Sequence, residues 1–263
     1  MPDLNERQSG SLGGRGIVVT RPLEQAQHLK AEIERHGGKA ILFPVLEIVE
    51  AQDLAPIHAL IDRLDEFDIG IFISPTAVDK AMNLIRARRE LPPRMLKACI
   101  GRASLRELRA CGVPDAIAPA AQFDSEHLLA MDEFATVAGK RIVIFRGDGG
   151  RELLGDELAK RGAIVEYAEC YRRVRPNVNA GPLLYGWARG EISAVTVTSG
   201  EGMHNLFDLV GKLGQQWLKK TPLFVPHARI AETAAGLGLA SVIVTPPGDE
   251  GLLQGLLDWS HNA

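Results

Sequence analysis

Six short segments of the chain place small residues beside a hydroxyl, an imidazole or a guanidinium, each where a strand-like run gives way to a helical pattern. They are Thr20-Arg21-Pro22, Ser74-Pro75-Thr76, Gly101-Arg102-Ala103-Ser104, Arg146-Gly147-Asp148-Gly149-Gly150-Arg151, Ser199-Gly200-Glu201 and Pro226-His227-Ala228-Arg229. In open parallel sheets, ligands bind beyond the carboxyl ends of the strands. A helix that starts there turns free N–H groups and the positive end of its dipole toward the ligand, which favours anions. Six such starts would suit a molecule with many carboxylates or phosphates. Small capping residues are also what any strand-to-helix turn uses, so the set points to an anion and no single member does. His227 either donates to that anion or is a surface histidine.

Tyr171 is of a different kind. It stands in Cys170-Tyr171-Arg172-Arg173. An ordinary phenol, with a pKa of about 10, keeps its proton at neutral pH and can donate it as a weak acid. The same ring can equally serve as packing. Other chemistries lack their signatures: no GxxxxGK[ST] or strand-following GxGxxG, no HExxH or paired histidines for a metal, and no GxSxG for an acyl-transfer serine.

The elements that must position these residues come in two copies. Gly14-Arg15-Gly16-Ile17-Val18-Val19-Thr20-Arg21 matches Gly139-Lys140-Arg141-Ile142-Val143-Ile144-Phe145-Arg146, 125 positions on. Gly37 with Gly162, and Phe72-Ile73-Ser74 with Val197-Thr198-Ser199, keep the same offset. The register slips by one only at the end, where Gly112 pairs with Gly238 and Ile117 with Ile243. Each copy reads strand, helix, strand, helix, strand, helix, strand. Ile17–Thr20 is a short β-branched run of the buried parallel type, and helix 24–36 follows with Ala26, Leu29 and Ile33 on one face and a stop at Gly37-Gly38. Alternating strands and helices predict parallel sheets with right-handed crossovers.

The expected fold is therefore α/β, with two doubly wound, flavodoxin-like lobes from an internal duplication. The expected division is a loose tail over 1–14, one lobe from 15–42 plus 177–263, linker strands over 43–49 and 168–176, and a second lobe over 50–167. Paired connectors favour a hinge and a ligand cleft between the lobes. The loops then fall into pairs: Arg21 with Arg146, Ser74 with Ser199, Gly101 with Pro226. The counterpart of Tyr171 is Leu46, so the copies differ where the phenol stands.

Bulk properties narrow the class. The 263 residues are 46% hydrophobic with a net charge of -3 and no long basic run, which argues against nucleic acid as a partner. The three cysteines, Cys99, Cys111 and Cys170, are odd in number and lack CxxC spacing. That argues against a disulfide scaffold and fits a reducing cytoplasm. No stretch approaches the roughly 20 apolar residues of a membrane helix, and the polar start does not read as a signal peptide.

Taken together, Val19-Thr20-Arg21-Pro22, Phe72-Ile73-Ser74-Pro75-Thr76-Ala77-Val78, Ile100-Gly101, Arg146-Gly147-Asp148-Gly149-Gly150-Arg151-Glu152, Tyr171-Arg172-Arg173, Thr198-Ser199-Gly200-Glu201-Gly202 and Pro226-His227-Ala228-Arg229-Ile230-Ala231 resemble the uroporphyrinogen-III synthase family in order and spacing. The resemblance implies two α/β lobes joined by two strands, with the site between them. It implies a hydro-lyase that cyclises hydroxymethylbilane, a linear tetrapyrrole with acidic arms on every ring, losing water and inverting ring D, with no metal or organic cofactor. Tyr171 is then the expected catalytic acid. The expected substrate contacts are Arg21, Ser74, Pro75, Thr76, Gly101, Ser104, Arg146, Gly147, Gly149, Gly150, Arg151, Ser199, Gly200, Glu201, His227, Ala228, Arg229 and Ile230. A cytoplasmic monomer is expected, with porphobilinogen deaminase as a transient partner and neither nucleic acid nor membrane. The family usually carries Thr-Ala where this chain has Ser104-Leu105, which keeps a hydroxyl and adds bulk. A two-lobed module that binds a polyanion without chemistry explains the loops and the repeat, but not the Tyr171-Arg172-Arg173 match. A two-lobed glycosyl- or methyltransferase would need a donor loop that no segment supplies.

Overall fold

The computed structural model describes residues 12–120, 124–149 and 152–262. Its elements begin with β1 (Gly16–Val19), α1 (Leu23–Arg35), β2 (Lys39–Leu42), β3 (Glu47–Glu50), α2 (Ala55–Asp62), β4 (Ile69–Phe72), α3 (Pro75–Arg86), β5 (Leu96–Cys99) and α4 (Arg102–Ala110). There follow α5 (Ser125–Leu129), β6 (Arg141–Gly147), α6 (Leu153–Lys160), β7 (Ile164–Val174), α7 (Gly181–Ala188) and β8 (Ala194–Thr196). The chain closes with α8 (Gly200–Leu209), α9 (Gly211–Leu218), β9 (Leu223–Val225), α10 (Ala228–Gly236), β10 (Val242–Val244) and α11 (Gly248–Asn262).

These elements form two compact units, Met1–Glu47 with Val174–Ala263, and Ile48–Arg173. The first holds a sheet of order β10-β9-β8-β1-β2, parallel throughout. The second holds the order β3-β7-β6-β4-β5, parallel from β7 to β5. Beyond β5, Ile117 bridges Ala98 in parallel. With β6 set against β1 and β4 against β8, the neighbour orders coincide: β2-β1-β8-β9-β10 and β7-β6-β4-β5-Ile117.

The strands are apolar on both faces because helices cover both. In the first unit Val18 and Val195 pack with Leu183, Met203, Leu206 and Ile230 on one side. Ile17, Val19 and Ala194 pack with Leu29, Ile33, Leu252 and Leu256 on the other. In the second unit Phe72 and Phe145 stack with ring centroids 4.5 Å apart, within the core face that holds Val78, Met82 and Leu108. Ile71, Ile142 and Ile144 pack with Leu128, Leu154 and Leu158 on the opposite face. The two helix stops are equivalent. Gly37 and Gly162 take φ of 74° and 87°, and the N–H groups of Gly38 and Ala163 then reach back to the carbonyls of Ile33 and Leu158 at 2.9 and 3.1 Å, a closure that needs a left-handed residue at the turn.

Two expectations need amendment. Residues 1–11 lie outside the described residues, but Leu12–Gly14 are not a loose tail. Leu12 is fully buried, and its N–H donates to His36 O at 3.0 Å. A Cβ on Gly38 would come within 2.9 Å of the Leu12 side chain, so the glycine makes the space that leucine fills. Arg15 N bonds Leu12 O as Lys140 N bonds Val137 O, at 2.9 and 3.0 Å, so the turn before β1 is built like the turn before β6. The segments expected as connectors, 43–49 and 168–176, are divided between the units. Phe43 and Val45 belong to the first unit's core. Residues 168–174 continue β7, which pairs with β6 from Ile164 to Tyr171.

An ion cluster braces the second unit. Glu166 on β7 accepts from Arg63 and, at 2.9 Å, from Arg141. The Phe67 ring carries both guanidinium carbons, at 5.5 and 5.4 Å from its centroid. The Arg63 hydrogen bond, with that of Arg141, holds the Glu166 carboxyl below its ordinary range against the opposing effect of burial. A carboxyl lowered in the folded state adds stability above its unfolded pKa of about 4.3, and that contribution disappears as pH falls through the lowered value. Glu166→Gln should therefore cost about 1 kcal/mol at pH 7. In urea titrations the deficit should shrink as pH drops below about 4, and a pH-independent deficit would contradict this account.

Candidate functional site

The six loops fall three to a unit, each three in a row along one sheet. In the first unit, β1, β8 and β9 are neighbours, and the loops beyond them carry Arg21, Ser199 and His227 into α1, α8 and α10. In the second unit, β6, β4 and β5 are neighbours, and their loops carry Gly149, Ser74 and Gly101 toward α6, α3 and α4. In each sheet the order of strand addition reverses between the first two of these, β1/β8 and β6/β4. Such a switch point opens a crevice at the strands' carboxyl ends.

Tyr171 lies at the switch point of the second unit. Its hydroxyl is 3.4 Å from Ser74 Oγ, and Ser74 Oγ accepts from Ala77 N at 3.0 Å as the cap of α3. The phenol ring lies against Gly147, where a Cβ would come within 2.6 Å of Cε2. The β6–β7 register shifts there, so Gly147 pairs with Tyr171. Beyond the shift, Asp148 N donates to Tyr171 O at 2.9 Å, and Asp148 Oδ1 accepts from Arg173 N at 2.9 Å. Tyr171 is 6% exposed, so its geometry is set by packing and not by solvent.

The equivalent place in the first unit has the same scaffold with different chemistry. Ser199 Oγ caps α8, accepting from Gly202 N at 2.9 Å. Leu46 stands beside it: a Cβ on Gly202 would lie 3.9 Å from Leu46 Cδ1. Asn205 Nδ2 donates to Val45 O at 3.0 Å and fixes the segment. Thr20 Oγ1 donates to Thr196 O at 2.8 Å, tying β1 to β8 at the crevice.

The predicted contacts divide by what their side chains already do. Ser74, Pro75, Thr76, Gly101, Ser199, Gly200, Glu201, His227, Ala228 and Arg229 sit at helix starts and are partly or fully exposed. Ser104 is in the first turn of α4 but buried, at 2% exposure. Ile230 is 2% exposed and belongs to the hydrophobic core, so only its backbone lies near the loop. Arg146 and Gly147 are inside β6 instead of the loop beyond it. Arg146 is buried. Its Nε donates to Gly147 O at 3.2 Å and its Nη2 to Gly149 O, while its guanidinium carbon sits 4.8 Å from the Tyr167 ring centroid. It braces its own loop. Arg21 is ion-paired with Asp249 in the first turn of α11, and His28 Nδ1 approaches the other Asp249 oxygen at 2.9 Å. Gly150 and Arg151 lie outside the described residues.

Thr20 and Asp148 stand in the six segments without being expected contacts, and Thr196 and Asp249 lie outside them. Asp148 had a signal, since an acid between glycines suits a turn that bonds its own backbone. Asp249 had a weaker one, as an acid in the first turn of a helix. Among the described residues no group of three or more His, Cys, Asp or Glu is placed to hold a metal ion, and no helix is long and apolar enough to cross a membrane.

The family model described as uroporphyrinogen-III synthase HemD matches residues 27–254. The uroporphyrinogen-III synthase of Escherichia coli K12 is 32% identical over 239 residues, covering 90% of this chain and 97% of that protein. A putative uroporphyrinogen-III synthase of Methanothermobacter thermautotrophicus is 32% identical over 202 residues, 74% of this chain and 78% of its own. In fold, the chain is similar to a mutant uroporphyrinogen III synthase from the extreme thermophile Thermus thermophilus, with a TM-score of 0.64 at 18% identity, covering 94% and 99% of the two chains. The uroporphyrinogen-III synthetase of Helicobacter pylori gives a TM-score of 0.58 at 15% identity, over 93% and 99%. With its helix starts in rows and its phenol at a switch point, the chain belongs to the uroporphyrinogen-III synthase family.

Proposed function

We propose that the chain is a hydro-lyase that cyclises hydroxymethylbilane to uroporphyrinogen III, and that Tyr171 supplies the proton for the departing hydroxyl. The observation that carries the second half is the buried phenol beside Ser74 at the switch point of the second unit. In the first step the phenol O–H breaks and its proton joins the terminal hydroxyl of the bilane. The C–O bond then breaks, water leaves with the electron pair, and an azafulvene cation remains. Ring D attacks through its substituted carbon, giving a spiro intermediate that reopens and closes inverted. The macrocycle sheds one proton as the pyrrole regains aromaticity, and that proton restores the phenol.

Positioning supplies much of the rate in such a cyclisation. Backbone N–H groups at the helix starts suit the acetate and propionate arms, and three loops on each unit are available for them. We also infer that the units arose by duplication, supported by the coinciding strand orders and the repeated helix stops. The enzyme is proposed to act as a cytoplasmic monomer that receives its unstable substrate from porphobilinogen deaminase. The free cysteines Cys99, Cys111 and Cys170 are consistent with that compartment.

The test is product identity. With hydroxymethylbilane generated in place, the proposed enzyme changes which uroporphyrinogen isomer forms. A protein that only binds the polyanion leaves the isomer unchanged.

A further inference from the structure

We infer that Ser74 is a positioning residue that donates its hydroxyl hydrogen to the Tyr171 oxygen, so that the phenol's own proton faces outward to the substrate; this rests on the proposed role of Tyr171 as the acid. Ser74 Oγ has one hydrogen and two lone pairs. One lone pair is taken by Ala77 N–H at 3.0 Å, as the cap of α3. The Tyr171 oxygen is the next polar atom, at 3.4 Å. If the phenol donated to Ser74, its proton would point into the helix start and away from any substrate. If Ser74 donates, the chain of hydrogen bonds runs Ala77 N–H to Ser74 Oγ–H to Tyr171 O–H and on to the leaving hydroxyl. Each bond then polarises the next, and the far end is the positive terminus of α3. When the phenol gives up its proton, the negative oxygen left behind already holds a donor. A hydrogen bond to an ionised acceptor shortens and strengthens, and contacts of this kind are often long before substrate binds.

The two units supply an internal contrast. Ser199 caps α8 in the same way, at 2.9 Å from Gly202 N, but its neighbour Leu46 has nothing to accept a proton. The serine is therefore a cap in both units and a donor to a side chain in only one. Tyr171 is held for the contact from behind. The Gly147 backbone fits under its ring, and Asp148 N bonds its carbonyl at 2.9 Å.

The experiment measures kcat and KM for cyclisation of hydroxymethylbilane with Ser74→Ala, Ser74→Asp, Ser74→Thr and each of the first two in a Tyr171→Phe background. Ser74→Asp keeps a capping oxygen and loses the hydroxyl, so it separates the donor role from the cap. Ser74→Ala and Ser74→Asp are expected to lower kcat by roughly fivefold or more, and Ser74→Thr to stay within about twofold of the parent. In the Tyr171→Phe background the same changes are expected to leave kcat within about twofold of Tyr171→Phe alone. An effect of full size in that background, an effect on KM alone, or a Ser74→Asp enzyme with parental kcat would overturn the inference while Tyr171 kept its role. A Tyr171→Phe enzyme with parental kcat would remove the acid itself and the inference with it.

Discussion

Tyr171→Phe should lower kcat for cyclisation by roughly tenfold to a hundredfold, at or below the lower limit of the roughly 10²- to 10⁴-fold that a general acid contributes. So modest a factor is expected because, in the proposed mechanism, positioning of the bilane carries much of the rate. Phenylalanine fills the same space against Gly147 and the second unit's core face. What is lost is the hydroxyl and its long 3.4 Å contact with Ser74, worth less than about 1 kcal/mol of stability. KM should change little, because the contacts proposed for the arms lie elsewhere, at the helix starts. Steady-state kinetics together with a urea titration check this. Parental turnover in a well-folded Tyr171→Phe protein would contradict the proton-donor role.

Gly147→Ala should be at least as damaging, through geometry and not chemistry. An added Cβ would meet Tyr171 Cε2 at 2.6 Å and Cζ at 2.8 Å, closer than non-bonded carbons approach. Gly147 ends β6, where the register with β7 shifts, and Arg146 beside it is buried. The backbone there cannot yield freely, so the ring must. Overpacking of this kind costs about 1–3 kcal/mol, and a phenol displaced from its reacting position loses about 10²-fold in rate. The variant should therefore show a lower urea midpoint and turnover at or below that of Tyr171→Phe. Parental stability and parental rate together would mean that the close packing of Gly147 on the ring has no consequence.

Much of the scaffold was legible in the residues. Ser74-Pro75 and Ser199-Gly200 announced capped helices after strands, and both serines accept from the backbone three residues on. The 125-residue offset sets β1 against β6 and β4 against β8, strands that hold like places in their two sheets. It also set Leu46 against Tyr171, the contrast on which the site turns. The parts that stayed hidden depend on distant residues meeting. Ser74 and Tyr171 are 97 positions apart, and Arg21 and Asp249 are 228 apart. No local pattern links either pair. Arg146 looked like a loop cation because glycines follow it, but β6 runs on through Gly147 and turns the guanidinium back onto its own loop. Leu12 is illegible in the sequence for the opposite reason. A single apolar residue in a polar stretch has no periodicity, and only the space above Gly38 shows why it is buried.

The most direct measurement is the isomer composition of the product. Hydroxymethylbilane is generated in place by porphobilinogen deaminase from porphobilinogen, this protein is added, and the porphyrinogens are oxidised and separated. The account predicts that uroporphyrin III replaces uroporphyrin I in proportion to the protein added, and that Tyr171→Phe slows the replacement. Uroporphyrin I as the only product, at every concentration of folded protein, would contradict it.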